Sequence, residues 1–190
     1  MEDTGKRNLQ GLDKPILDSL GIDKNKPEKQ QRNQTGSPIL EEGDILLNTT
    51  LAETSDWQQV DLPVVSTLRH FCIETLSSYT EDNQACISEV DLLDDKGQPI
   101  DKTKWEVVYV SSEQADKNLG VAENLFDGDI SSFWHTDPAT EPGQPHRIIV
   151  DIKEIYKISA LRFKVRKGAF LSGKVKEINV YGRPQFFLFH

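Results

Sequence analysis

The sequence predicts an all-β protein, an antiparallel sandwich of two sheets with about eight strands. Short runs alternate apolar and polar residues, glycines and prolines separate the runs, and no long segment shows the helical period. The 190 residues, 36% of them hydrophobic and 28% charged, suffice for one sandwich and a tail. We therefore expect a folded domain over residues 37–190, preceded by a polar tail or linker over residues 1–36.

The strands are expected to begin shortly after Ser37, where the composition changes. Each predicted strand is an apolar or alternating run that ends at a turn signal, such as the Asp-Lys-Gly turn at residues 95–97. A further buried strand is expected to start at Phe133 and Trp134. The other predicted strands cover residues 45–47, 57–63, 68–76, 87–93, 105–110, 147–152, 158–165 and 175–181.

The tail carries too few apolar side chains to offset its ordering entropy, above all in residues 24–34. Within it, Pro15 and Gly21 bracket a short apolar run that suits one or two helical turns. That run either docks on a neighbouring domain or belongs to a solvated linker.

The charge balance excludes some partners. The net charge is −9, and so acidic a surface repels phosphate backbones, which argues against nucleic acid. No run approaches the roughly 20 apolar residues that a membrane-spanning helix needs. The first residues lack the apolar core of a signal peptide. The chain is therefore either cytosolic or a segment of a longer secreted protein.

The sequence shows no sign of a catalytic apparatus. It has no glycine-rich phosphate loop, nucleophile elbow or paired-histidine motif, and its acidic residues are scattered. Cys72 and Cys86 lack a histidine arranged for nucleophilic chemistry. They are either bridged or, as is commoner, buried free thiols. We therefore expect no enzymatic activity.

One block carries a family resemblance. Residues 123–136 combine an Asp-Gly-Asp turn, a hydroxyl three residues later and an aromatic pair. Strand-like segments at residues 146–152, 158–163 and 173–181 follow in the usual order. The block resembles the discoidin or coagulation-factor type C domains, which overlap with galactose-binding-like carbohydrate-binding modules. The resemblance implies a galactose-binding-like jelly-roll sandwich that binds ligands and does not catalyse.

The two halves of the resemblance stand in inverted order. Segments at residues 57–60, 68–71 and 87–92 resemble the usual C-terminal half, yet they come first. Either two truncated domains follow each other, or a circular permutation lets both halves close one core. We favour permutation, because half a sandwich would expose an apolar face. The apolar run at residues 184–189 should then pack against the sandwich near residues 40–50.

The resemblance also implies a structural calcium site. Its ligands would come from the glycine turn, the hydroxyl after it and a glutamate from the other half, and calcium prefers such oxygen ligands. The alternative is a plain Asp-Gly turn whose carboxylates cap backbone amides. Zinc is disfavoured, since no His or Cys cluster has ligand spacing. The predicted ligands are Glu89, Asp127, Asp129 and Ser132.

Sugar binders of this kind use a shallow pocket at one end of the sandwich, where aromatic rings stack on sugars. Tyr79, Arg166 and Phe170 are the predicted ligand-binding residues. Each has a structural alternative: an edge residue with a wet hydroxyl for Tyr79, a carboxylate partner for Arg166 and an apolar loop contact for Phe170. His135 is expected to be structural. Trp57, Trp105 and Trp134 are expected to pack within the sandwich.

These observations lead to two hypotheses of function. The first is a noncatalytic module that recognises a glycan or glycoconjugate, as part of a larger extracellular or cell-envelope protein. The second is a structural or protein-interaction domain that has lost the sugar pocket. A lipid-binding role is disfavoured by the charge of −9.

Overall fold

The computed structural model describes residues 36–80, 82–116, 119–139, 143–166 and 172–190. The predicted tail therefore lies outside the described residues except for Gly36, and so does Phe170. Within the described ranges, no helix is long and apolar enough to cross a membrane.

The structure consists of antiparallel strands joined by loops and short 3-10 turns. The 3-10 turns include Glu42–Asp44 and Ala122–Phe126. The strands are β1 (Pro38–Ile39), β2 (Ile45–Thr50), β3 (Trp57–Thr75), β4 (Cys86–Ile87), β5 (Glu89–Asp94), β6 (Glu106–Val110), β7 (Trp134–His135), β8 (His146–Lys164), β9 (Glu177–Arg183) and β10 (Leu188–Phe189).

Two long strands organise the fold. The predicted strands at residues 57–63 and 68–76 form one continuous strand, β3, and those at 147–152 and 158–165 form β8; each has 19 residues. Their pairing is irregular between Asp61 and Ser66 and again between Leu68 and His70. Such irregularities bend a strand, so each long strand contributes to both layers of the sandwich.

The two layers follow from the pairing. The C-terminal part of β3 lies between β9 and the N-terminal part of β8, with β2 and β6 at the outer edges. The N-terminal part of β3 pairs with the C-terminal part of β8, which also pairs with β5. Apolar side chains of both layers meet in one core, which includes Phe71, Ile148, Val180, Leu92, Leu161 and Phe163. The predicted all-β sandwich is confirmed.

The early and late portions of the chain share this sandwich. Strand β3, from the early portion, pairs with β8 and β9 from the late portion, and β2 pairs with β9. The alternative of two truncated domains is therefore wrong, because strands of the early and late portions pair with each other in one sheet. The two halves stand in inverted order along the chain, and in the structure they close one core.

The C-terminal segment is anchored to the sandwich. Strand β10 pairs with β1, with Ile39 opposite Leu188. Phe187 is buried in a small cluster that contains Leu40, Cys72, Ile149 and Tyr181. The predicted contacts lie near residues 40–50, whereas the observed ones begin at Pro38, slightly earlier. Phe186 and Leu188 point the other way and stay exposed.

A buried carboxylate connects four strands on the outer face of the layer that contains β2, β9, β3, β8 and β6. Glu74 Oε1 lies 2.9 Å from Arg147 Nε, and Glu74 Oε2 accepts hydrogen bonds from Asn179 Nδ2 at 2.8 Å and Tyr181 Oη at 2.9 Å. Asn48 donates to the side-chain oxygen of Asn179. Burial, followed by the Glu74 contact, raises the pKa of Tyr181 to about 12. This network joins β2, β3, β8 and β9.

Both cysteines are free and buried. Burial raises the pKa of the Cys72 thiol far above its usual value and that of Cys86 to about 12. Since the thiolate is the reactive form, both thiols are inert at neutral pH.

Candidate functional site

A cleft of about 130 Å³ opens at one end of the sandwich. Four segments meet there: the loop after β2, the loop after β3, the residues that follow β8 and those that precede β9. The charged and aromatic side chains that line the cleft are Glu53, Tyr79, Arg166 and Lys174. The fold thus brings together Tyr79 and Arg166, two of the three residues predicted to bind a ligand.

Tyr79 is held as one wall of the cleft. Its hydroxyl donates to the Leu51 carbonyl at 2.8 Å, and its backbone N–H donates to the Lys174 carbonyl at 2.7 Å. Lys176 Nζ lies 5.7 Å from the centre of its ring. The hydroxyl is therefore not a wet edge group, and the half-buried ring keeps a fixed orientation.

Arg166 lies over an aromatic ring. Its guanidinium carbon is 3.7 Å from the centre of the Phe133 ring, a close cation–π contact. Within the described ranges, no carboxylate lies in ion-pair distance of Arg166. The structural alternative, a carboxylate partner, is thus not found there. Stacking of this kind fixes the plane of the guanidinium, whose N–H groups suit oxygen acceptors.

The loop after β2 is braced from beneath. Gln58 accepts a hydrogen bond from the Ala52 N–H at 2.6 Å and donates to the Ala52 carbonyl at 3.0 Å. Lys174 Nζ lies 3.2 Å from Glu53 Oε1 across the cleft wall. The cleft is consequently preformed, with one ion pair and one additional cation on its surface.

His135 fills a structural position beside the cleft. Its Nε2 lies 2.8 Å from Ser172 Oγ, and Nδ1 contacts the Thr136 carbonyl. Gly120 packs against it so closely that an added Cβ would lie 2.9 Å from the His135 Cβ. Burial lowers the pKa of His135, so the ring is neutral near pH 7. These contacts agree with the predicted structural role.

A cluster of oxygen atoms surrounds Ser132. Its Oγ lies 2.9 Å from both carboxylate oxygens of Asp127, 2.9 Å from the Asp129 carbonyl and 3.4 Å from the Asn124 carbonyl. A hydroxyl has one proton and can donate it to one acceptor at a time. Asp127 Oδ1 also accepts the Asp129 backbone N–H at 2.9 Å, as in a capped Asp-Gly turn. The group nevertheless combines carboxylate, hydroxyl and carbonyl oxygens, which are the ligand types that a hard cation prefers.

Glu89 approaches the same turn from strand β5. It is 1% exposed, and its Oε1 accepts from the Gly128 N–H at 3.4 Å and pairs with Lys102 Nζ at 2.7 Å. Its Oε2 is buried and has no hydrogen-bond partner. Burial, and secondarily the Asp127 charge, raises the pKa of Glu89. An orphaned carboxylate oxygen beside the oxygen cluster fits the predicted calcium ligand set.

The contribution of Asp129 differs from the prediction. Its carboxylate accepts hydrogen bonds from the backbone N–H and the hydroxyl of Ser131, while its backbone carbonyl faces Ser132. In the part of the chain that the structure describes, no three His, Cys, Asp or Glu side chains are grouped to hold a metal ion. The oxygen cluster therefore depends on two carboxylates, a hydroxyl and backbone carbonyls.

The expectation for Trp57 is wrong, whereas Trp105 and Trp134 lie in the core. Trp57 is 38% exposed on the outer face of the layer formed by β5 and the paired parts of β3 and β8. The alternating pattern places it on one face of β3 but does not reveal that nothing covers this face. The sequence reading also missed Glu53 and Lys174, which reach the cleft only because β2 and β9 pair. Phe170 lies outside the described residues.

Comparisons with known proteins agree with this architecture. A relative named Sialidase, from Micromonospora viridifaciens, is 33% identical over 84 residues. The aligned segment covers 43% of this chain and 13% of the relative, so the chain spans a small part of that protein. Residues 107–185 match the family model of the F5/8 type C domain, which describes a carbohydrate-binding and protein-interaction module found typically in extracellular proteins. Over residues 107–185 the chain is therefore similar to the F5/8 type C, or discoidin, domain family.

Proposed function

We propose that this protein is a noncatalytic glycan-binding module and that the cleft holds the sugar. The observation that carries the proposal is the Arg166 guanidinium, stacked on Phe133 in the wall of the cleft that also contains Tyr79. An oriented guanidinium beside an aromatic ring is the combination that recognises a ring with one apolar face and several hydroxyl groups.

The proposed mechanism uses a preformed site. The Tyr79 ring contacts the C–H face of a pyranose, while Arg166 and Lys174 donate hydrogen bonds to its oxygens and Glu53 accepts one. Since the loop is braced by Gln58, little ordering entropy is lost on binding. A single shallow cleft of this size suits dissociation constants in roughly the millimolar to micromolar range.

We further propose that the module belongs to a larger extracellular or cell-envelope protein and presents the cleft to glycans or glycoconjugates. The family match supports this placement, since discoidin domains are typical of extracellular proteins.

A calcium ion is the proposed structural cofactor. Asp127, Ser132 and Glu89, with the carbonyls of Asn124 and Asp129, would hold it. A calcium ion prefers carboxylate, hydroxyl and carbonyl oxygens of this kind as ligands. These residues would then tie the glycine turn to strand β5, which comes from the other half of the chain.

The glycan proposal predicts a specific loss of binding. On an array of neutral, carboxylated and sulfated glycans, we expect the protein to retain some glycans. We expect Tyr79→Ala and Arg166→Gln each to weaken retention by about tenfold or more, because each removes a direct contact. Lys157→Gln is the matched control, since it removes one positive charge from an exposed position on β8. An array without hits, or variants that bind as the control does, would contradict the proposal.

The calcium proposal predicts a shift in melting temperature. Calcium at about 100 times its dissociation constant should stabilise the fold by about 2.7 kcal/mol, which raises Tm by about 5–10 °C. Asp127→Asn should abolish most of this shift, whereas Asp95→Asn, in an exposed turn, should keep it. Identical melting curves in calcium and in chelator would refute the site.

A protein-interaction role is the second candidate, and one observation favours it. Phe186, Leu188 and Phe189 are exposed along the C-terminal segment, and Phe189 contacts Tyr109 on β6 beside the exposed Val108. Exposed apolar clusters of this kind often mark interaction surfaces. In this case Phe186→Ala would weaken association with a protein partner, and the cleft variants would not.

A further inference from the structure

Trp57 lies next to the cleft. It is the first residue of β3 and stands opposite Lys164, the last residue of β8. Ser55, two residues before Trp57, lines the cleft, and so do Val165 and Arg166, which follow Lys164. The exposed indole is therefore an immediate neighbour of the cleft along both strands.

Two cationic side chains lie close to the Trp57 indole. The Arg162 guanidinium carbon lies 5.1 Å from the centre of the Trp57 ring, and Lys164 Nζ lies 5.8 Å from it. Arg162 is paired with Asp91. Lys164 instead donates to the Ser55 carbonyl at 2.7 Å, which joins it to the cleft loop. Within the described ranges, Lys164 has no carboxylate in ion-pair distance.

Cationic side chains line this path although the whole protein is acidic. The chain carries −9, yet among the described residues neither Lys164 nor Arg166 has a carboxylate in ion-pair distance, and the cleft carboxylate Glu53 is paired with Lys174. At about 0.1 M salt, charges more than about 10 Å away are largely screened. Lys164 and Arg166 are therefore the groups on this path that can pair with an acidic substituent of a ligand.

We propose that Trp57, Arg162 and Lys164 form a second subsite continuous with the cleft, which makes the ligand an acidic oligosaccharide of two or more rings. One ring occupies the cleft, and the next stacks on the Trp57 indole. Its carboxylate or sulfate pairs with Lys164. The inference rests on the proposed glycan-binding function and specifies the class of glycan.

Ring length and charge can be tested separately. The probes are galacturonic acid oligomers of one to five rings, and the same oligomers after reduction of every carboxylate to CH₂OH. Sulfated glycans on the array test the other acidic group, and neutral glycans serve as the uncharged reference. We expect acidic oligomers to bind at least about tenfold more tightly than acidic monomers or reduced oligomers, and the advantage to shrink at 0.5 M salt.

Single substitutions test whether the tighter binding of acidic oligomers depends on the proposed subsite. Trp57→Ala should weaken binding of the preferred acidic oligomer by about tenfold and leave the monomer within about twofold. Lys164→Gln should remove most of the preference for acidic over reduced oligomers. Phe186→Ala and Lys157→Gln are the controls, an exposed aromatic residue and an exposed lysine away from the path. Circular dichroism melting checks that each variant is folded.

The outcomes separate the two proposals. If no glycan on the array is retained, the proposed function fails and the subsite fails with it. If glycans bind and Tyr79→Ala weakens them, but acidity, length and Trp57→Ala make no difference, only the subsite is wrong. Preference for acidic oligomers that depends on Trp57 and Lys164 supports the inference, and the array identifies carboxylate or sulfate as the acidic group.

Discussion

Phe187→Ala is expected to lower the free energy of unfolding by about 3 kcal/mol, because the change removes a buried aromatic ring and leaves a cavity. Phe187 is 4% exposed and packs with Leu40, Cys72, Ile149 and Tyr181. For a domain of this size, the corresponding fall in Tm is about 6–12 °C. Differential scanning calorimetry or a thermal melt followed by circular dichroism measures it.

Leu188→Ala is the matched control for this change. Leu188 is the next residue of the same segment, is also apolar and is 60% exposed. Its truncation should change Tm by no more than about 2 °C, since exposed side chains contribute little to stability. Equal effects of the two substitutions, or none from Phe187→Ala, would mean that the C-terminal segment does not dock on the sandwich.

Glu74→Ala is expected to destabilise the fold by a similar amount, about 3 kcal/mol, although it removes no apolar group. The change leaves Arg147 without its carboxylate and deprives Asn179 and Tyr181 of their acceptor. Removing one partner of a buried ion pair is costly because the other charge stays behind. Urea unfolding at pH 7 measures the loss.

Glu177→Ala provides the comparison. Glu177 is an exposed carboxylate on β9 that accepts a hydrogen bond from Ser77. Its loss should cost less than about 1 kcal/mol. A small effect of Glu74→Ala, equal to that of Glu177→Ala, would show that the network does not hold the early and late portions together.

The sequence was sufficient to predict the strands but not their continuity. Alternation identified residues 57–63 and 68–76, yet Pro63 and the apolar pair Val64 and Val65 break the pattern between them. In the structure this interruption is an irregular stretch inside β3, where pairing skips from Asp61 to Ser66. Proline is tolerated at such positions, and local pattern alone does not separate an internal bulge from a loop.

Only some residues of the candidate site could be predicted from the sequence. Tyr79 and Arg166 followed from the family resemblance and do line one cleft. Lys174 was not foreseen, because it approaches Glu53 only through the pairing of β2 with β9, strands far apart in the chain. Trp57 was misjudged since periodicity assigns a side chain to a face of the sheet and is silent about what covers that face.

The claim on which the functional account depends is that a sugar occupies the cleft between Tyr79 and Arg166. A crystal structure of the protein soaked with the strongest glycan from the array tests it most directly. The account predicts electron density for a sugar ring against Tyr79, with ring oxygens or hydroxyls in hydrogen-bond distance of Arg166. Density for the glycan elsewhere on the sandwich, with an empty cleft, would contradict it.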